Sequence, residues 1–265
     1  MIQPQSVQRG PASLAAFAIE GELTQGGWVR GTVPQGTQAL SLDGQPVDFA
    51  ADGSFFIAFD RDAGPKAHLA ARFADRIMAQ VELDVSPRSW QIENVNVARR
   101  TGGPTAAFMA IRQPELDAIR AARQKVTRAQ GWRQRFVWPV AGRISGRFGS
   151  QRIYRGEPGS YHSGIDITTG ASGTPYVAPA DGVVVLAVQG YSLEGNLLII
   201  DHGNGLDSAF LHSSRLYVSE GDAVKQGQHI GDIGMSGRAT GPHLHWSLTW
   251  REARLDPLLF AGPMA

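Results

Sequence analysis

Turn-forming residues interrupt this chain so often that only one stretch leaves room for a long helix. Its 265 residues include 32 glycines and 15 prolines. Glycine supplies positive φ and proline fixes φ, so dense punctuation by both favours short strands joined by tight turns. Alternating runs such as Trp28-Val29-Arg30-Gly31-Thr32-Val33 and Ser54-Phe55-Phe56-Ile57-Ala58-Phe59 fit this pattern, with the turn pairs Asp43-Gly44 and Asp52-Gly53 between such runs. Turn signals every ten residues or so predict a small β-sandwich-like domain of six or seven strands over residues 1–97. His68 is its only histidine, and its Ala/Leu surroundings suit a structural role.

Residues 98–134 read as a linker. Thr101-Gly102-Gly103-Pro104 breaks the β pattern, and Pro114-Glu115 is expected to open a helix that stops near Gly131. Leu116, Ile119 and Val126 recur at helical spacing on one face. Residues 99–135 hold nine Arg or Lys and two acids, a local charge of +7 in a chain whose total is +1. The expectation is a connecting helix with a solvated basic face; the competing reading is a surface for an anionic polymer. From Trp138 onward the β pattern returns, with strand candidates at 182–188, 197–201 and 243–249. The absence of alternating helices favours an antiparallel sheet over a βαβ fold.

Composition removes several classes of function. A net charge of +1 argues against wholesale nucleic-acid binding. No run reaches the ~18 apolar residues a membrane span needs. There are no cysteines, so any metal must be held by histidine and carboxylate. Met1-Ile2-Gln3-Pro4 lacks the basic and apolar regions of an export signal. That leaves an internal protein or a mature chain whose signal has been removed.

The chemistry-bearing residues gather in three segments: His162-Ser163-Gly164-Ile165-Asp166, Phe210-Leu211-His212, and Gly241-Pro242-His243-Leu244-His245-Trp246. Side chains at i and i+2 of a strand share a face, so His243 and His245 point together while Leu244 enters the core. Two histidines and one aspartate make a zinc-ligand set of net charge −1, which leaves the ion Lewis acidic. His202 lies in a hairpin-turn signature and His229 between glycines, and both read as idle. Arg152 suits either a substrate carboxylate or plain solubility. Trp246 and Trp250 read as packing residues.

These segments, with Gly146-Arg147-Phe148-Gly149, Gly173-Thr174-Pro175, Ala180-Asp181-Gly182, Val224-Lys225-Gln226-Gly227 and Ser236-Gly237-Arg238 around them, resemble the lysostaphin/LytM-type zinc metallopeptidase family over roughly residues 135–260, within an expected peptidase domain of residues 135–265. Residues 1–97 resemble, more loosely, the β domain that precedes it in Gram-negative members. The resemblance implies a mainly β fold and a Zn2+ ion held by His162, Asp166 and His245. It also implies proton transfer by His212 and His243, with either as the base. The implied reaction is hydrolysis of peptidoglycan stem-peptide crosslinks, of the D-Ala–diaminopimelate type, in the periplasm or cell envelope. No HExxH helix supplies a glutamate base, and imidazole, with an ordinary pKa near ~6.5, takes its place. One departure is Ser213, where the family commonly has leucine; the expectation is a packing change without loss of activity. A non-catalytic wall binder or hydrolase regulator is the competing reading. A biotinyl/lipoyl carrier fails for want of a lysine at a suitable hairpin tip. The front domain or basic helix is also a candidate for docking over the cleft or onto a regulator.

Overall fold

The computed structural model describes residues 17–74, 78–98 and 104–264. Met1–Pro4, the Thr101–Gly103 break and the basic residues Arg99 and Arg100 lie outside them. Seven front strands form two sheets: β1 (Ala18–Gly21), β2 (Trp28–Thr32), β3 (Ala39–Leu42), β4 (Gln45–Val47), β5 (Ser54–Ala58), β6 (Lys66–Arg72) and β7 (Met78–Asp84). One sheet runs β1-β2-β5 and the other β4-β3-β6-β7. Strand β7 alternates exposed and buried along its whole length, the period-two signature of a sheet with one face in the core. The β3–β4 hairpin turns through Asp43 and Gly44 with φ of 50° and 79°, the two positive values a type I′ turn requires.

Strand β8 (Ile92–Val95) leaves this unit and pairs in parallel with β10 (Gln151–Tyr154). Helix α1 spans Ala106–Arg123, eight residues earlier at its start than the sequence expectation. Thr105 caps it, its hydroxyl accepting from the Phe108 N–H at 3.1 Å, so a side-chain cap outweighed the proline signal. Pro114 lies inside the helix. The helix ends at Gln124, before Gly131, which instead opens a short 3₁₀ turn (Gly131–Arg133). Val126 therefore falls beyond the helix and is 95% exposed rather than on its apolar face.

The basic run is only partly solvated. Arg112 is buried and paired with Glu115 at 2.9 Å and Glu194 at 2.6 Å. Lys125 donates to the Val185 carbonyl, and Arg123 faces Asp207 at 3.6 Å.

The remaining elements are β9 (Arg143–Gly146), β11 (Glu157–Tyr161), β12 (Ile165–Thr168), β13 (Pro175–Val177), β14 (Gly182–Tyr191), β15 (Gly195–Gly203), β16 (Leu206–Ser213), β17 (Arg215–Leu216), β18 (Ala223–Val224), β19 (His229–Asp232), β20 (Leu244–Trp250), β21 (Ala253–Leu255) and α2 (Leu258–Ala261). The large sheet follows the order β18-β14-β15-β16-β20-β12-β9, with β21 on β20. Every pairing in it is antiparallel. One face carries Leu206, Phe210, Leu244, Trp246, Leu248 and Trp250, in a core continuous with the front strands. On the other, α1 covers Val185, Leu197, Ile199 and Ala209 through Ala122 and Ile119. Trp28 and Phe56 of the front strands meet Phe260 and Trp250 at centroid distances of 5.5–6.3 Å, fixing the front unit to the back of the sheet. Burying side chains of this size contributes roughly 1.5–3 kcal/mol each. No helix among the described residues is long and apolar enough to cross a membrane.

His202 lies fully buried at the edge of this core. Its Nδ1–H donates to the Asp181 carbonyl at 2.8 Å and its Nε2 accepts from the Ser208 hydroxyl at 2.7 Å, so the ring is neutral. Burial lowers its pKa to about 4. The folded value lies below the unfolded ~6.5, so the neutral ring contributes stability that is fully present above ~6.5 and lost as pH falls towards 4. Unfolding titrations of wild type and His202→Gln between pH 7 and 4 should show wild type losing more, by on the order of 3 kcal/mol. Parallel pH profiles would refute the assignment.

Candidate metal centre and flanking histidines

Strand β12 pairs with β20 so that Asp166 stands directly opposite His245. Ile165, Leu244 and Trp246 on either side point into the core, which forces Asp166 and His245 onto the other face. His162, in the turn before β12, closes the group. Its Nε2 lies 3.1 Å from Asp166 Oδ1 and 3.1 Å from His245 Nδ1, and His245 Nδ1 lies 2.9 Å from the same carboxylate oxygen. The Arg147 carbonyl accepts from His162 Nδ1–H at 3.1 Å, which fixes the tautomer and leaves Nε2 with its lone pair toward the centre.

Two imidazole nitrogens and one carboxylate oxygen within about 3 Å of each other crowd three acceptors into one spot. Ligand atoms at ~2.0–2.2 Å from a shared tetrahedral ion lie roughly 3.4 Å apart, so this donor set fits a zinc-sized cation with little movement. The electrostatics agree. Burial works against ionising Asp166, but the His162 and His245 imidazoles beside it hold its carboxyl far below the usual range. Burial also opposes charge on His162, yet the Asp166 carboxylate outweighs it and raises its pKa. For His245, burial wins and its pKa is lowered. One carboxylate stabilises positive charge at one site, and a cation shared by all three satisfies every donor atom at once.

His243 and His212 stand beside this cluster. His243 precedes β20, and its Nδ1–H donates to the Gly241 carbonyl at 2.9 Å, leaving Nε2 3.7 Å from Asp166. His212 has φ of 67°. In regular alternation along β16, Phe210 and residue 212 would share the core face. An irregular register between β15 and β16 and the left-handed backbone at His212 break that alternation, as bulges do when they re-aim a side chain. The His212 ring comes within 4.9 Å of His243 and 6.4 Å of His245, centroid to centroid. Its backbone N–H donates to the Glu194 carbonyl and its Nδ1–H to the Ser236 carbonyl, both at 2.9 Å. Burial lowers its pKa, so it stands ready to accept a proton at neutral pH.

All five sequence-singled residues thus meet in one place. The carbonyls of Arg147, Glu194, Ser236 and Gly241, which orient three of the rings, carry no side-chain signal and were not legible beforehand. Ser213 is fully buried and shares a 2.7 Å hydrogen bond with Tyr176, a polar pair that accounts for a residue other than leucine. Arg152 is exposed and paired with Glu93 at 2.7 Å. His229 pairs with Asp232 at 2.9 Å, and His68 is exposed. Trp246 and Trp250 are buried.

An antiparallel sheet thus brings two histidines and an aspartate to one point, with two more imidazoles alongside, as the resemblance to lysostaphin-type metallopeptidases leads one to expect. Residues 160–257 match the model of peptidase family M23. It is 37% identical over 136 residues to the peptidoglycan DD-endopeptidase ShyA of Vibrio cholerae, covering 50% of this chain and 30% of ShyA. It is 38% identical over 130 residues to the lipoprotein NlpD/LppB homolog of Pseudomonas aeruginosa, covering 49% of this chain and 39% of that one. The chain thus spans well under half of either relative. A solved structure of a candidate peptidase M23 from Pseudomonas aeruginosa superposes with a TM-score of 0.69 at 26% identity, over 91% of this chain and 96% of that one. That coverage takes in the front strands as well as the large sheet.

Two glycines leave space for the cluster. A Cβ at Gly146 would fall 2.4 Å from Asp166 Oδ2, and one at Gly164 2.8 Å from His245 Nε2. Gly146→Ala should therefore displace the carboxylate and weaken metal binding about 10–100-fold, the range for losing an orienting contact. Chelator competition would measure this, and unchanged affinity would show that the site relaxes around the methyl.

Proposed function

We propose that this chain is a zinc endopeptidase that hydrolyses peptide crosslinks of bacterial peptidoglycan, of the D-Ala–diaminopimelate type, in the periplasm or cell envelope. The observation that carries this reading is the convergence of His162 Nε2, Asp166 Oδ1 and His245 Nδ1 within 3.1 Å, with the imidazoles of His212 and His243 beside them. The substrate class is supported by the likeness to a peptidoglycan DD-endopeptidase.

His162, Asp166 and His245 hold the ion. Zinc bound there supplies a Lewis acid that lowers the pKa of water and polarises a peptide carbonyl. His212, kept neutral by burial and with Nδ1–H committed to Ser236, accepts the proton from the attacking water at Nε2. Later it returns that proton to the leaving amine, so the balance closes with one water consumed. His243, its Nε2 3.7 Å from the Asp166 carboxylate, is placed to hydrogen-bond the oxyanion that develops on the scissile carbonyl. His162, Asp166 and His243 keep 24%, 24% and 18% of their side-chain surface exposed, so a peptide reaches them without rearrangement of the described front strands.

Metal analysis and peptidoglycan digestion together test this. Wild type should bind about one zinc per chain and release peptide fragments. His245→Ala should lose both. His212→Ala should keep the metal while its turnover falls about 10²–10⁴-fold. A wild-type chain that binds no zinc would sink the reading in favour of a non-catalytic wall-binding protein.

A further inference from the structure

The front unit reaches the metal centre through one side chain. Arg61, in the turn after β5, is only 6% exposed although it belongs to the other end of the sequence. One guanidinium nitrogen donates to the Gly149 carbonyl and to Gln151 Oε1, both at 3.0 Å, while the other holds Asp62 at 2.6 Å. The guanidinium carbon lies 4.7 Å from the ring centre of Tyr161 and 5.2 Å from that of Trp90. Burying a guanidinium leaves its donors and charge to be met by the protein, and here a carboxylate, two oxygen acceptors and two aromatic faces surround it.

What Arg61 grips is the loop that aims His162. The Gly149 N–H donates to the His162 carbonyl, and the His162 N–H donates to the Ser150 carbonyl, each at 2.8 Å. The Arg147 carbonyl at the start of the same loop fixes the His162 ring. Tyr161, stacked on the guanidinium, immediately precedes His162. Gly149 has φ of 78°, and a Cβ there would fall 2.2 Å from the Trp90 ring, so the loop is pressed flat against the front unit. The Gln91 carbonyl then accepts from the Gln151 N–H at 3.0 Å, and β8 continues the pairing.

We infer that Arg61 is a positioning residue for the metal centre: by holding the Gly149–Gln151 backbone it sets the ring of His162, so the front unit completes the metal-binding loop. The inference rests on the zinc reading for its consequence, but the clamp itself is a property of the metal-free chain. Lysine cannot replace the fork, because a single ammonium lacks the planar pair of nitrogens that reaches the loop acceptors and Asp62 at once and lies against two rings.

The test uses the full chain in four forms: wild type, Arg61→Ala, Arg61→Lys, and Val81→Ala, a buried change in β7 that destabilises the front unit without touching the loop. Amide hydrogen exchange without metal should speed about tenfold or more at residues 149 and 162 in both Arg61 variants, and not in Val81→Ala. Zinc affinity by chelator competition should weaken about tenfold in the Arg61 variants alone, and the visible spectrum of the cobalt form should change with it. If exchange at 149 and 162 is unchanged, the clamp is refuted whether or not the chain binds zinc. If Val81→Ala shifts exchange and affinity as much as Arg61→Ala does, the effect is general loss of stability and the positioning role falls. Wild type that binds no zinc would defeat the functional reading, while the exchange data still decide the clamp.

Discussion

Asp166 and His245 face each other across two antiparallel strands, with Ile165, Leu244 and Trp246 committed to the core on the reverse face. A slip of one residue in this pairing would send the carboxylate and the imidazole into the core and bring apolar side chains to the site. The hydrophobic face therefore fixes the geometry of the Asp166–His245 pair, and two large buried residues, Trp246 and Phe210, make any other register costly. The two glycines next to the cluster follow from the same crowding, since the strands and turns approach too closely for a side chain at 146 or 164.

The two sides of the sheet are sealed by different parts of the chain. Front strands close the face that carries Trp250, through Trp28 and Phe56. Helix α1 closes the other, through Ala122 and Ile119. The helix is also tied down by charge: Arg112 forms a paired contact with Glu194 at 2.6 and 2.7 Å while bonding Glu115. The Glu194 carbonyl in turn holds the His212 backbone. Removing one member of so buried a set would strand the others without partners, the circumstance in which an ion pair matters most.

The site then joins two kinds of constraint. Regular strand alternation delivers Asp166, His243 and His245. Departures from regularity deliver the rest: a turn places His162, and a left-handed residue in an irregular register places His212. Non-glycine residues rarely adopt positive φ, and histidine is among those that tolerate it better. Such local strain persists only where neighbouring contacts hold it, here the Glu194 and Ser236 carbonyls.

The sequence by itself determined the β class, the absence of thiol chemistry, the pairing of His243 with His245 on one face, and the five residues that meet. Period-two patterning and histidine spacing are local properties, and they survive any tertiary arrangement. The start of α1 was also written locally, in Thr105, but a proline inside the helix gave the stronger and misleading signal. Only the tertiary structure decided that Arg112 and Arg123 turn inward, that β8 crosses to pair with β10, and that Arg61 reaches the loop behind His162. Those depend on contacts between segments about 60 to 90 residues apart, where no periodicity links one partner to the other. The same holds for the carbonyls that orient the histidines, because a backbone acceptor is offered by nearly every residue and only folding selects which one is used.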